Sequence, residues 1–506
     1  MSEHVDVVIV GAGLSGIGAA HQVKVSHPNR TFAILEARDA IGGTWDLFRY
    51  PGVRSDSDMH TLGYRLRPWT AAEAIADGPS ILKYVRDTAS DSGVDKHVRY
   101  GHRVIGASWS SVDSEWTVTV EHGEDLVEFT CNFLFVCSGY YRYESGYQPE
   151  FPGIDSFAGT VLHPQNWPAD LDYFGKRVVV IGSGATAVTL VPAMAETAGH
   201  VTMLQRSPTY ILAGPSVDKI GQVFKKRLGM RRGYAATRWK NILLGSVMYP
   251  LIRRYPDGTR KLIHKMNTKA LPNGYDVDKH FSPKYNPWDQ RMCMAPEGDF
   301  FKSISDGKAS IVTDTIASFS ETGIELSSGE SLDADIVVTA TGLQMLAFGG
   351  IEFWIDGREV SLADTLAYRG AMIEGFPNFA FTIGYTNASW TLKADLVSEF
   401  VCRVLGHMDR SGFNQCVPVN DDTTLEVGPL FDFQAGYVLR ALDRFPKSGV
   451  REPWKLKMSY PRDLITLRHR KLDDGALRFS FVPANPRAVR APERRPQAVQ
   501  VANSGS

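Results

Sequence analysis

The stretch Val5-Asp6-Val7-Val8-Ile9-Val10-Gly11-Ala12-Gly13-Leu14-Ser15-Gly16 decides the fold. A short, nearly continuous apolar run predicts a strand buried on both faces, as in a parallel sheet covered by helices. The glycines that follow stand in the order G-x-G-x-x-G. The first permits a tight turn, the second lets a pyrophosphate approach the backbone, and the third lets helix and strand pack closely. Ile17–Val25 has a helical pattern, and Thr31–Leu35 reads as the next strand. Glu36 closes that strand, 25 residues after Gly11. A carboxylate at this place accepts hydrogen bonds from a ribose diol and repels a 2′-phosphate. A glycine motif alone also fits a purely structural turn. Strand, helix and acid together predict a dinucleotide site, with Gly11, Gly13, Gly16 and Glu36 as its residues.

The same design returns later. Val178–Ile181 reads as a strand, Gly182-Ser183-Gly184-Ala185-Thr186-Ala187 as the turn, Val188–Ala198 as the helix and Val201–Leu204 as the next strand. Here the acid is missing. Arg206, 24 residues after Gly182, and Ser207 stand at the end of the strand instead. A guanidinium suits a 2′-phosphate bidentately, whereas the plainer reading of Arg206 is a solvated surface residue. Two such units predict an α/β protein with two Rossmann-like dinucleotide-binding domains. The economical assignment is FAD at the first turn and NADPH at the second.

The expected organisation interleaves the two domains. FAD-binding segments cover 1–150 and 343–482, NADP-binding segments cover 151–214 and 286–342, and a helical insert covers 215–285. The tail 483–506, rich in Pro, Arg, Ala and Gln, is expected to be disordered.

The 506 residues are 43% hydrophobic and 22% charged, which excludes a disordered chain, a collagen-like chain and a coiled-coil rod. A net charge of −1 argues against nucleic acid as a partner. The five cysteines form no C-x-x-C and no His/Cys cluster, so no metal is expected and a reducing compartment fits. Met1–His4 lead straight into the first strand, with no signal-peptide pattern. Ile242–Ile252 is the nearest approach to a membrane span and is too short. A cytoplasmic protein is the expectation.

Residues 216–270 hold fourteen Lys/Arg against Asp218 and Asp257, a net +12, so the rest of the chain carries −13. Two readings stay open: a solvated helical face on a substrate-gating insert, or reversible attachment to an anionic membrane surface.

Many proteins with two dinucleotide sites reduce a disulfide through a C-x-x-x-x-C after the first helix. The corresponding stretch, Ile41-Gly42-Gly43-Thr44-Trp45-Asp46-Leu47, has no cysteine. Oxygen is the remaining natural electron acceptor.

Phe157-Ala158-Gly159-Thr160-Val161-Leu162-His163-Pro164-Gln165-Asn166-Trp167-Pro168 matches F-x-G-x-x-x-H-x-x-x-W-[P/D] and lies between the two turns. With Gly42-Gly43-Thr44-Trp45, Arg49–Asp56 and Ala340-Thr341-Gly342, it makes the chain resemble the Baeyer–Villiger monooxygenases, class B flavoprotein monooxygenases, from residue 5 to about 480. The stretches Trp45–Met59, Tyr285–Arg291 and Gly384–Asp395 look closest to the ethionamide-activating branch.

The resemblance implies a chemistry. NADPH reduces FAD, and the reduced flavin and O₂ form a C4a-peroxyflavin. As the peroxide anion it turns open-chain, aryl-alkyl or bulky ketones into esters or lactones, and as the electrophilic hydroperoxide it oxygenates thioethers and thioamides at sulfur. Arg291 matches the family's catalytic arginine, and Asp56 matches the acid that contacts it. Arginine suits the role because it stays protonated beside an anion. Ser15, Thr44, Trp45 and Val104 match FAD-contacting positions, and Arg54 and Ser55 match positions near the nicotinamide nucleotide. In the fingerprint of Phe157, Gly159, His163 and Trp167, the histidine is expected to stabilise the linker between domains rather than transfer protons. Tyr385 and Trp390 fit either a substrate pocket or plain core packing.

One departure stands out. Many relatives have Lys-Arg where this chain has Gln290-Arg291, which shifts 2′-phosphate recognition onto Arg206 and Ser207 and weakens the expected preference for NADPH. An N- or S-oxygenating monooxygenase is the rival reading, opposed by the fingerprint's ending in Trp167-Pro168. An NADPH oxidase or reductase that releases peroxide is the other. The expected partner is a small ketone or organosulfur substrate, on a monomer or weakly self-associating chain.

Overall fold

The computed structural model describes residues 2–483 apart from 432 and 434. The tail expected to be disordered therefore lies, from 484 onward, outside the described residues.

The chain opens with β1 (Glu3–Val10), α1 (Leu14–Ser26) and β2 (Phe32–Leu35). The one-turn helices α2 (Thr44–Leu47) and α3 (Met59–Leu62) follow, then α4 (Gly78–Ser92), β3 (Val98–Arg99), β4 (Arg103–Ser110), β5 (Glu115–His122) and β6 (Asp125–Val136). β1 lies at the centre, parallel to β2 on one side and β6 on the other. Its apolar run serves two cores. Val7 and Ile9 pack with α1 and α4, while Val8 and Val10 pack with residues of β4–β6. This two-sided burial is why the strand lacks polar alternation. β4 and β5 form an antiparallel pair turning at Ser114 with φ +56°.

The second unit comprises β7 (Thr160–Leu162), β8 (Arg177–Ile181), α5 (Ala185–Met194), β9 (His200–Gln205) and β10 (Ile211–Gly214). The helices α6 (Lys219–Arg254), α7 (Pro256–Ala270) and α8 (Val277–Phe281) come next. It continues with β11 (Cys293–Pro296), α9 (Asp299–Ser305) and β12 (Ala309–Thr313), then a meander β13 (Ile316–Ser320), β14 (Gly323–Leu326), β15 (Ser331–Asp333), and finally β16 (Ile336–Thr339). Its sheet has the order β12-β9-β8-β16-β7, and every neighbouring pair is parallel. The parallel pair β10–β11 joins the two ends of the helical segment. α6 is two helices in series, broken at Gly229 with φ +77°.

The chain then returns to the first sheet. β17 (Glu352–Ile355) pairs parallel with β4, β18 (Arg358–Val360) extends the edge, and Phe379–Phe381 pairs with β6. α10 (Trp390–Ser411) packs along α1. Among the described residues no helix is long and apolar enough to cross a membrane, and no cluster of His, Cys, Asp and Glu is arranged to hold a metal.

Candidate active site

Both glycine turns open into one cavity of about 1030 Å³. At the first, Gly11 has φ +100°, and a Cβ there would lie 2.8 Å from the Cys137 carbonyl oxygen. Gly182 repeats this at the second, with φ +131° and a Cβ that would meet the Ala340 oxygen at 2.3 Å. Gly13 and Gly184 begin α1 and α5, and neither helix has a side-chain cap or an acid in its first turn. The leading N–H groups are thus left for an anion from outside the chain, in the positive end of the helix field. Nothing within 4 Å would obstruct a Cβ at Gly184, so the second turn faces open space. Glu36 lines the cavity and is anchored by the N–H groups of Ala12, at 2.7 Å, and Arg38, at 3.0 Å. Burial raises its pKa, against the pull of these two bonds. Two uncapped helix starts, with an anchored acid at one and Arg206 at the other, fit two dinucleotides.

Between the turns stands an ion pair. Arg291 Nη1 donates to Asp56 Oδ2 at 2.8 Å, across 235 positions of sequence. About a third of each side chain, 35% and 34%, remains open to the cavity. The Asp56 carboxylate raises the Arg291 pKa further above its already high ordinary value and outweighs the effect of burial. The guanidinium therefore stays charged throughout the working pH range. Tyr140, Tyr141 and Tyr437 surround it; burial pushes their pKa values up, so the phenols remain neutral donors. Tyr140 and Tyr141 hydroxyls lie 3.2 Å apart. Cys293, two residues beyond Arg291, is buried with its thiol pushed up to about 12, and stays unreactive.

Residues 76–349 match the flavin-binding monooxygenase-like family, and residues 9–70 match an NAD(P)-binding Rossmann-like domain. The chain belongs to the flavin-binding monooxygenase-like family. It is 55% identical to the FAD-containing monooxygenase EthA of Mycolicibacterium smegmatis over 481 residues, 95% of this chain and 98% of that protein. The crystal structure of OTEMO complexed with FAD and NADP is similar with a TM-score of 0.67 and 25% identity, covering 83% of this chain and 88% of the other. Oxidised steroid monooxygenase bound to NADP shares the fold, with a TM-score of 0.69 at 24% identity over 83% and 88% of the two chains. The Baeyer–Villiger resemblance and the α/β dinucleotide-binding fold read from the sequence are both borne out.

In this flavin-binding monooxygenase, the expected nucleotide and catalytic residues line the cavity with three exceptions. Gly16 packs inside its own turn, where a Cβ would lie 1.8 Å from the Gly11 oxygen. Ala187 is fully buried in α5. Ser207 contributes its carbonyl, which accepts from Ser183 Oγ at 3.0 Å, and lies off the wall. Gly16 and Ala187 shape their turns from within, and Ser207 is exposed beside Arg206. Arg54 does face the cavity, but its guanidinium is already engaged by Asp299 at the start of α9.

No fingerprint residue lines the cavity. Phe157 packs against Phe319, and Gly159 is required because a Cβ would press on the Phe157 ring at 2.5 Å. Trp167 packs edge-on to Tyr173. His163 Nδ1 accepts from the Gln165 N–H at 3.1 Å, so Nε2 carries the proton and donates to the Gly342 carbonyl at 3.0 Å. Burial lowers its pKa and keeps the ring neutral. Gly146 lies directly on the ring, where a Cβ would come within 1.9 Å. Gly342 O also accepts from the Tyr147 N–H at 2.9 Å. His163 thus clamps the two segments that cross between the sheets.

Sequence reasoning missed the tyrosine wall. Tyr140 and Tyr141 follow Ser138-Gly139 just beyond the carboxyl end of β6, where open α/β sheets place ligands, so that position was an available signal. Tyr437 arrives from a distant segment with no motif. Trp390, left open between pocket and core, does line the cavity, and its indole N–H donates to Ser15 Oγ at 2.7 Å.

Proposed function

We propose that the protein is an NADPH- and O₂-dependent Baeyer–Villiger monooxygenase acting on open-chain, aryl-alkyl or bulky ketones, and on thioethers and thioamides at sulfur. The observation that carries this reading is the Arg291–Asp56 ion pair facing the cavity between two dinucleotide turns. The balance is ketone, O₂, NADPH and a proton giving ester or lactone, water and NADP⁺.

FAD, when bound and reduced by NADPH, supplies the oxygen activation. The N–H groups at the start of α1 hold its pyrophosphate, and Glu36 holds its ribose diol. The start of α5 and Arg206 hold NADPH, the guanidinium taking the 2′-phosphate. Arg291 holds a positive charge where negative charge develops as oxygen adds to the carbonyl. A fixed, preorganised charge of this kind favours the transition state over the ground state. Asp56 aims the guanidinium. The tyrosine wall excludes water and offers neutral O–H donors to the substrate carbonyl.

The test is the ratio of oxygenated product to NADPH consumed, measured on the yellow holoenzyme with a panel of ketones and sulfides. The reading requires ester or lactone from at least one ketone at a ratio near one. Products from sulfides or amines alone would make it an N- or S-oxygenating enzyme. Stoichiometric peroxide with no product would make it an NADPH oxidase.

A further inference from the structure

We propose that the outer face of α6 and α7 is a docking surface for an anionic lipid bilayer. This stands independently of the substrate reading. Leu243, Leu244, Val247, Met248, Leu251 and Tyr255 are each 40–62% exposed. Their spacing of three and four residues puts them on one side of the second helix of α6. Such a stripe is ordinarily the side a helix buries; here it faces outward. Leu262 and Met266 continue it on α7, one turn apart.

The opposite side of the helix already has its partners. Tyr234, Arg238 and Ile242 are buried. Arg238 donates to the carbonyls of His60 at 2.9 Å and Gly63 at 2.6 Å, and to Asp395 at 2.9 Å. Nearer the end of α6, Tyr249 packs on Trp288 and Arg253 reaches Asp289. The outward stripe is therefore surplus to the packing that holds the helix in place.

The charges decide what would cover it. Lys225, Arg238, Lys240, Arg253 and Arg260 are tied to protein carbonyls or carboxylates. Arg254, Lys261, Lys265 and Lys269 are exposed and have no carboxylate partner among the described residues. The three lysines recur every fourth residue and run beside Leu262 and Met266. The exposed acids nearby are fewer: Asp257, 3.5 Å from Arg260, Asp278, 3.0 Å from His264, and Asp276, which caps α8. An apolar stripe bordered by free cations matches an acyl layer beneath anionic headgroups. Pairing the same face with a second copy would set these cations against one another. The remainder of the chain carries −13, so the net attraction of the chain to such a bilayer comes from this segment.

The holoenzyme is to be sedimented with phosphatidylcholine vesicles and with vesicles containing a third phosphatidylglycerol, at low and high salt. Expected is binding to the anionic vesicles at low salt, reduced at least tenfold by salt, and none to neutral vesicles. A Leu243→Ser/Val247→Ser/Leu251→Ser variant and a Lys261→Gln/Lys265→Gln/Lys269→Gln variant should each bind at least tenfold less, with flavin absorbance and melting temperature unchanged. Failure to sediment with anionic vesicles at low salt would overturn the proposal. So would binding that neither variant weakens. A concentration-dependent dimer that the leucine variant dissolves, without vesicle binding, would assign the face to a second copy instead.

Discussion

Replacing Arg291 by alanine should uncouple the enzyme rather than silence it. The guanidinium lies 2.8 Å from Asp56, and about a third of it faces the cavity. An anion forming some 4 Å from that charge, in surroundings of effective dielectric about 20, gains roughly 4 kcal/mol. Loss of one preorganised oxyanion donor costs about 2.7–4 kcal/mol, or a factor of roughly 10²–10³ in rate. The two routes agree, so ester formation by Arg291→Ala should fall by about that factor. Arg291→Lys should recover part of it, because the charge survives while the planar fork does not. Asp56→Asn should cost less, about tenfold, since the amide oxygen can still accept from Nη1 while no longer balancing the charge. The assay follows NADPH oxidation, ester and peroxide together. NADPH oxidation should persist in Arg291→Ala, with peroxide replacing ester. Ester formation within a few-fold of the parent would refute the assignment of the charge to the oxygen-transfer step.

Three further outcomes follow from the geometry. Arg238→Ala should destabilise the protein by about 3 kcal/mol, because it leaves the mostly buried Asp395, whose pKa burial already raises, with only the Arg65 N–H at 3.3 Å; thermal unfolding and protease cleavage within α6 read this, and an unchanged melt would contradict it. Arg206→Ala should lower the NADPH-to-NADH ratio of kcat/KM by about 10- to 100-fold, the worth of one or two charge-assisted bonds, and Gln290→Lys should raise it; equal ratios in all three proteins would remove Arg206 from 2′-phosphate recognition. Because burial lowers the His163 pKa, the unfolded chain binds this proton first as pH falls. The stability this residue contributes is complete above the ordinary histidine value of about 6.5 and drains away as pH drops from there toward the lowered native value. Melting curves of the parent should show this loss and those of His163→Gln should lack it; parallel curves would mean the ring is not held neutral.

Much of this architecture was legible because its parts are local. A buried strand, a glycine turn and a helix leave a contiguous signature, so both units and the positions of Glu36 and Arg206 could be read from spacing alone. The register of assembly was less legible. β17 and Phe379–Phe381 join the first sheet from far along the chain through short apolar runs that carry no address. The break of β4 from β5 rests on Ser114 adopting φ +56°, a conformation for which serine gives little warning. The site divides in the same way. The residues that line the cavity at the two glycine turns were reached through motifs, whereas Tyr437 and Asp299 were not, because each acts through a contact made only when distant segments meet.

The insert explains why Arg291 is where it is. Arg291 follows a tight turn, 286–290, closed by the Asp289 N–H on the Asn286 carbonyl at 3.0 Å and the Asn286 N–H on the Asp289 carboxylate at 3.0 Å, and Trp288 in it holds φ +71°, a strained conformation for a bulky side chain. The strain at Trp288 is held from outside the turn as well. Tyr249 packs edge-on against Trp288, with ring centres 5.5 Å apart; Arg253 pairs with Asp289 at 3.5 Å; and Arg260 donates to Asn286. On the far side Asp56, from the first unit, takes the guanidinium itself. α6 is in turn fixed to the first unit by Arg238 and by Asn241, whose amide donates to Asp58 at 2.8 Å, two residues from Asp56. The brace and the counter-ion of Arg291 thus hang from one short segment, 56–63, so a shift of that segment moves the cation and its partner together. The role proposed for Arg291 beside a transient anion calls for this arrangement, because the distance of the cation from the reacting atoms is then preserved even if the two sheets move relative to each other.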